Sequence, residues 1–151
     1  MTRTRLETNV TRLVTDIRPE WSGYFQVKRE IVRGARSVPF GFLGQNMAAN
    51  FAVLQPSQLA SQVEFAKGKI MDLDGLRSRF ENDVFKESRD WHEVLIYVQD
   101  SEKVAFSPKQ HDEVERSLKL IQAEGDRYRV HVEAFNTVDA LTNEILQKEA
   151  A

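Results

Sequence analysis

Apolar residues near the start of the chain recur at helical spacing, at Leu6, Val10, Leu13, Val14 and Ile17. Thr4 and Glu7 read as a capping box for this helix, and Pro19 stops it. The period then changes. Over residues 24–32, Phe25, Val27 and Ile31 alternate with polar positions as in a half-buried strand, interrupted by Arg29. Residues 33–37 read as a turn. Residues 38–43 and 49–54 are short strands separated by Gly44, Gln45 and Asn46, which suggests a meander, and Pro39 argues that the first lies at an edge.

From Ser57 the spacing is helical again. One stripe holds Leu59, Val63, Ala66, Ile70 and Leu73, and a second holds Leu76, Phe80, Val84 and Phe85. Gly75 lies between them and predicts a break or kink, because glycine is costly inside a helix. Residues 93–99 form the clearest strand, apolar on both faces from Val94 to Val98, as in the centre of a sheet. Ser107, Pro108 and Gln110 supply a cap, a proline at N1 and a glutamine at N3, opening a helix with Val114, Leu118 and Ile121 inside and Gly125 at its end. Residues 128–135 alternate, with Arg129, His131 and Glu133 on the outer face. Val138, Leu141, Ile145 and Leu146 mark a final amphipathic helix, capped by Asn136 and Thr137.

The element order is therefore α-β-β-β-α-β-α-β-α. It predicts a single α/β domain over residues 1–151, with a mixed sheet of about four to five strands and helices on both faces. Residues 1–56 supply the first helix and meander, 57–90 a helical segment, and 91–151 a β-α-β-α unit whose long connection makes its two strands parallel. A chain of 151 residues is large enough for one such core.

Charge changes the picture at one place. With 29% charged residues overall, the chain has none over residues 37–63, a run of 27. Glycines, amides and Pro56 interrupt that run, so it does not span a membrane. Half-buried strands usually turn charge to water, so the run suggests a contact surface instead. Phe40, Phe42, Met47 and Phe51 are the expected interface residues, with Phe40 or Phe42 and Met47 exposed in the isolated chain. The first expectation is thus a non-enzymatic interaction or assembly protein, working with a protein partner or as a homo-oligomer.

Composition excludes several chemistries. The chain lacks cysteine, so disulfides, thiolate zinc sites and cysteine nucleophiles are out. Its first residues have no apolar region behind their basic groups, so no secretory signal is expected and a cytoplasmic location is. No phosphate-binding glycine pattern or serine nucleophile elbow is present. Asp72 and Asp74 before Gly75 fall short of a calcium loop. The three histidines have no helical i, i+4 pairing, so neither a metal nor any cofactor is expected. This favours a non-enzymatic role.

Two weaker sites remain. His131 and Glu133 share a strand face and are the one local pair with acid–base geometry, hence the candidate catalytic residues of a small enzyme. Ser101, Asn136 and Thr137 lie at strand ends, where an anion could bind a parallel sheet. The second functional expectation is nucleic-acid binding. Residues 21–51 hold six of the fourteen aromatics together with Lys28, Arg29, Arg33 and Arg36, a mixture suited to phosphate pairing and base stacking. The leading α-β-β-β-α-β order also resembles the restriction-endonuclease-like core, in topology alone. That resemblance implies an acidic residue near the second strand and an acid-x-lysine pair on the third, to hold Mg²⁺. Both strands lie in the uncharged run, and Glu64 and Lys67 have the wrong spacing in a helical pattern. A nuclease-like core here would be catalytically dead.

Overall fold

Amphipathic spacing produces the first helix, α1 (Arg3–Ile17), with Leu6, Val10 and Val14 buried on one side. Its cap is Thr2 rather than Thr4: the Thr2 hydroxyl accepts a hydrogen bond from the Arg5 amide at 3.2 Å. Glu7 sits one turn further in, beside Arg3 at 3.8 Å. Pro19 ends the helix as expected and starts a short 3-10 segment, Pro19–Tyr24, which delays the first strand. The computed structural model describes residues 1–31, 34, 37–81, 88–99 and 105–151.

Five strands follow in one sheet: β1 (Phe25–Arg29), β2 (Val38–Leu43), β3 (Met47–Leu54), β4 (Trp91–Val98) and β5 (His131–Phe135). Their spatial order is their chain order. β1, β2 and β3 pair antiparallel, and β4 and β5 join parallel to β3. Helices α2 (Leu59–Glu81) and α3 (Pro108–Tyr128) cover one face. The other face carries α1 and α4 (Val138–Ala150). This is the expected α/β architecture with a mixed sheet and helices on both sides.

Local irregularities in the meander have a common cause. Gln26 holds a left-handed backbone, φ 53°. Around it Phe25 packs toward α1 and α4 whereas Val27 packs toward α2. Phe40 and Phe42 split between the two cores in the same way across Gly41, where a Cβ would come within 2.6 Å of the Phe51 ring. Asn50 repairs the pairing: its Oδ1 accepts from the Gly41 amide at 3.0 Å, and its Nδ2 donates to the Lys69 carbonyl at 3.2 Å. β2 is flanked by β1 and β3, so it is no edge strand. Pro39 nevertheless faces Lys28 of β1 and lies outside the β2–β3 register, which joins Phe42 to Ala49 and Leu43 to Ala48.

Gly75 and Gly125 do not act as breaks. α2 runs unbroken through Gly75, where the missing Cβ makes room for Ile31. α3 continues past Gly125 to Tyr128, because Gly125 lets the helix press against the Val130 carbonyl and Val132. Arg129 then turns the chain with φ 55°. The Arg77 guanidinium donates to the Tyr128 and Arg129 carbonyls that the helix end leaves open. The fifth strand consequently starts at His131, three residues later than its alternation suggested. The Ser107–Gln110 capping box is present in full. Of the second α2 stripe, Leu76 is buried. Val84 and Phe85 lie outside the described residues.

Candidate metal centre

In its central part, Phe40 to Leu54, the uncharged run is explained largely by burial on two sides. β3 is buried at all eight positions, and Phe40, Phe42 and Met47 are 0% exposed and Phe51 2%. The expected interface residues are therefore core: strands in the middle of a three-layer sandwich have no water-facing side on which charge would be useful. The amides of the run bond internally. Gln55 donates to the Met1 carbonyl at 3.0 Å, and Gln62 accepts from the Gln55 amide at 2.7 Å. Asn46 donates to the Glu149 and Ala151 carbonyls.

The aromatics between residues 21 and 51 are likewise inward. Phe42 is the hub, with Trp21, Tyr24 and Phe25 edge-on around it at centroid distances of 6.4, 5.8 and 5.1 Å. They offer no stacking platform beside a basic patch. Lys28 and Arg29 are successive strand residues, one exposed and one half-buried, and so point to opposite sides of the sheet. Arg33 and Arg36 lie outside the described residues. At the strand ends, the Thr137 hydroxyl caps α4 by accepting from the Ala140 amide at 3.1 Å, the cap that the sequence also suggested. Ser101 lies outside the described residues. β2 and β3 carry no acid, and Glu64 and Lys67 form an ordinary pair along α2 at 3.8 Å. His111 is exposed beside the Phe106 ring rather than on the buried stripe.

His131 and Glu133 do meet other functional groups. Alternation along β5 sends His131, Glu133 and Phe135 toward the α1/α4 layer, and on β4 it sends Trp91, Glu93, Leu95 and Tyr97 the same way. Parallel pairing sets Glu93 directly beside His131. From above, α4 buries Leu141 and Ile145 and so lowers Glu144 onto the same spot. Among the described residues, Glu93, His131, Glu133 and Glu144 bring four potential ligand atoms within 4.8 Å of one another. His131 Nε2 lies 3.2 Å from Glu133 Oε2 and 3.9 Å from Glu93 Oε1. Lys148, one turn beyond Glu144, approaches it at 4.0 Å and lies 3.7 Å from the centre of the Trp91 ring.

Glu93 is the anomaly. The residue is 0% exposed, and neither of its buried carboxylate oxygens has a hydrogen-bond partner. Burial raises its pKa, opposed by His131 and Lys148. Glu144 is pushed up to about 8 by burial, by its hydrogen bond with Glu133 and by the charges of Glu93 and Glu133. Glu133 is lowered, chiefly by that same hydrogen bond, with His131 assisting. Of this pair, Glu144 is the one whose surroundings favour the protonated form. Three carboxyl groups thus crowd one imidazole, with Lys148 beside Glu144.

Sequence reading singled out His131 and Glu133 as an acid–base pair, expected no metal, and did not see that Glu93 and Glu144 from other elements join them. The available signal was Glu93 itself, an acid at the head of an otherwise apolar central strand. No known family model, curated protein or solved structure matches this chain.

Proposed function

We propose that this protein binds a divalent metal ion through Glu93, His131, Glu133 and Glu144. The observation that carries the reading is the Glu93 carboxylate, fully buried, without a hydrogen bond, and facing three other donors. A buried carboxylate costs several kcal/mol unless it is paired, takes up a proton or ligates a metal (about 20 kcal/mol in the ideal Born limit), and a neutral Glu93 would still leave its carboxyl oxygens without a hydrogen bond. Nothing in the packing of β4 requires an acid there, since its neighbours on the same face are Trp91 and Leu95.

The donors are close enough to converge on an ion. Donors about 2.0–2.2 Å from a metal stand roughly 3.3–3.6 Å apart in a tetrahedron and up to about 4.4 Å when opposite one another, so side-chain rotations of about an ångström or less bring the four atoms, now within 4.8 Å of one another, to ligating distance. Charge also balances: with Glu144 deprotonated and His131 neutral, three carboxylates meet one divalent ion and Lys148. The bound ion takes the place of the Glu144 proton. Its chemistry would be Lewis acidity at a site whose outer side, His131 and Glu133, faces water. The uncharged core of β2 and β3 has no share in this function, and contact with a protein partner would need another surface.

The test is thermal unfolding of chelator-treated protein with and without Zn²⁺, Mn²⁺, Mg²⁺ or Ca²⁺, for the wild type and Glu93→Leu. An ion at a hundredfold excess over its Kd adds about 2.7 kcal/mol to wild-type stability. Glu93→Leu is expected to be more stable than wild type without metal and to lose the metal shift. If none of the four ions moves the wild-type transition, the reading is wrong.

A further inference from the structure

Resting on the reading that the cluster binds a divalent ion, we infer that the ion is a first-row transition ion of the Zn²⁺ or Co²⁺ type, selected over Mg²⁺ and Ca²⁺ by His131. Four features of the geometry point to this choice. The donor set contains an imidazole, His131 Nε2, placed between Glu133 Oε2 and Glu93 Oε1. Imidazole suits Zn²⁺, Fe²⁺, Ni²⁺ and Cu²⁺, whereas Mg²⁺ and Ca²⁺ gain little from nitrogen. Ca²⁺ prefers six to eight oxygens at about 2.3–2.6 Å, and this cluster gathers three carboxylates without a carbonyl among the donors.

Mg²⁺ fails for a different reason. It sheds water reluctantly and usually keeps several waters around it. Here the inner wall of the site is Glu93, 0% exposed between half-buried Trp91 and buried Leu95. An ion that ligates Glu93 has to lose its water on that side. The outer side differs: the His131 and Glu133 side chains are 59% and 41% exposed. The ion is therefore held from within by Glu93 and Glu144 and remains open to water or a small exogenous ligand from without. A transition ion accepts that asymmetry, because it binds with four protein donors or with four plus solvent.

Trp91 supplies an internal reporter. It lies on the same face of β4 as Glu93, two residues away, about 7 Å along the strand. Trp21→Phe leaves Trp91 as the single tryptophan, since the chain has two.

The experiment is calorimetric titration of the chelator-treated full chain with Zn²⁺, Co²⁺, Mg²⁺ and Ca²⁺, with Trp91 fluorescence in the Trp21→Phe background as a second readout. Zn²⁺ and Co²⁺ are expected to bind at least about tenfold more tightly than Mg²⁺ or Ca²⁺, with Co²⁺ quenching Trp91. His131→Gln, a change at an exposed strand position, is expected to lose that preference: Zn²⁺ affinity falls by about tenfold or more, and by clearly more than Mg²⁺ affinity does. Equal affinity for Mg²⁺ and Zn²⁺, or a preference that survives His131→Gln, overturns the inference and leaves cation binding standing. Failure of all four ions to bind removes the site and the inference together.

Discussion

Glu149 shows what a buried carboxylate looks like when the protein itself satisfies it. It is 5% exposed, on the last turn of α4, and its oxygens accept from the Gln45, Asn46 and Met47 amides at 2.9, 2.9 and 3.0 Å. Gly44 has no Cβ because that carboxylate occupies the space. The β2–β3 turn is thus held by a residue about a hundred positions away in the chain. Glu93, buried to a similar degree in the same layer, has no such donors. The contrast predicts opposite signs. Glu149→Ala leaves three amides without their acceptor and is expected to cost about 2–4 kcal/mol. Glu93→Leu in metal-free protein is expected to gain stability. Urea denaturation of both variants with chelator present checks the pair; a loss at Glu93 comparable to that at Glu149 would mean that Glu93 is satisfied in the metal-free fold.

At the scale of elements, the helix glycines separate propensity from packing. Gly68, Gly75 and Gly125 all sit inside helices, where alanine is intrinsically better by about 0.8–1 kcal/mol. A Cβ at Gly68 meets nothing within 4 Å, so Gly68→Ala is expected to stabilise by about that amount. At Gly125 the Cβ would come 2.5 Å from the Val130 carbonyl oxygen and 2.6 Å from Val132. Backbone cannot step aside as a side chain can, and Gly125→Ala is expected to destabilise by about 1–3 kcal/mol. Chemical denaturation of the two variants reads the difference, and a gain at Gly125 would show that α3 and β5 can separate freely. The same contrast explains which boundaries were legible in sequence. Strand and helix identity followed from period, because period is local: β2, the start of α3 and the stripe of α4 fall where alternation and caps put them. Gly75 and Gly125 misled because their reason is a neighbour from another element. The carboxylate–histidine cluster was legible only in part for the same cause. His131 and Glu133 are two apart on one strand, whereas Glu93 and Glu144 join them only through the parallel register and the docking of α4. The absence of charge over residues 37–63 was real, and burial on both faces of the sheet accounts for its β2 and β3 part, whereas residues 55–62 are exposed or half-buried outside the sheet.

For the whole molecule, layering places its titrating groups in opposite environments and so sets the pH dependence. His92 points away from the cluster of Glu93, His131, Glu133 and Glu144, toward the α2 side, where burial and the charges of Arg77 and Arg89 lower its pKa from 6.5 to about 4. A histidine that resists protonation when folded gives the unfolded state the greater proton affinity between those values. Its contribution to stability is therefore present above about 6.5 and is lost as pH falls toward 4. Glu144 acts with the opposite sign. Its folded pKa, about 8, lies above the unfolded 4.5, so its contribution is complete below 4.5 and is lost as pH rises through about 8. Glu7, Asp72 and Glu93, all raised by burial, share that sign. With chelator present, stability is thus expected to decline as pH rises from 6.5 to 8, where His92 no longer opposes it. Glu144→Gln should flatten that decline, since its amide needs no proton. A metal ion at the centre should flatten it as well, because coordination holds Glu144 ionised on both sides of the transition and saturation improves as protons leave the site. Denaturation midpoints at pH 6.5, 7.25 and 8, with chelator and with Zn²⁺, distinguish the cases: a chelated wild type that is flat over this range would show that Glu144 is not the proton holder, and an equal decline with Zn²⁺ would show that the ion does not contact it.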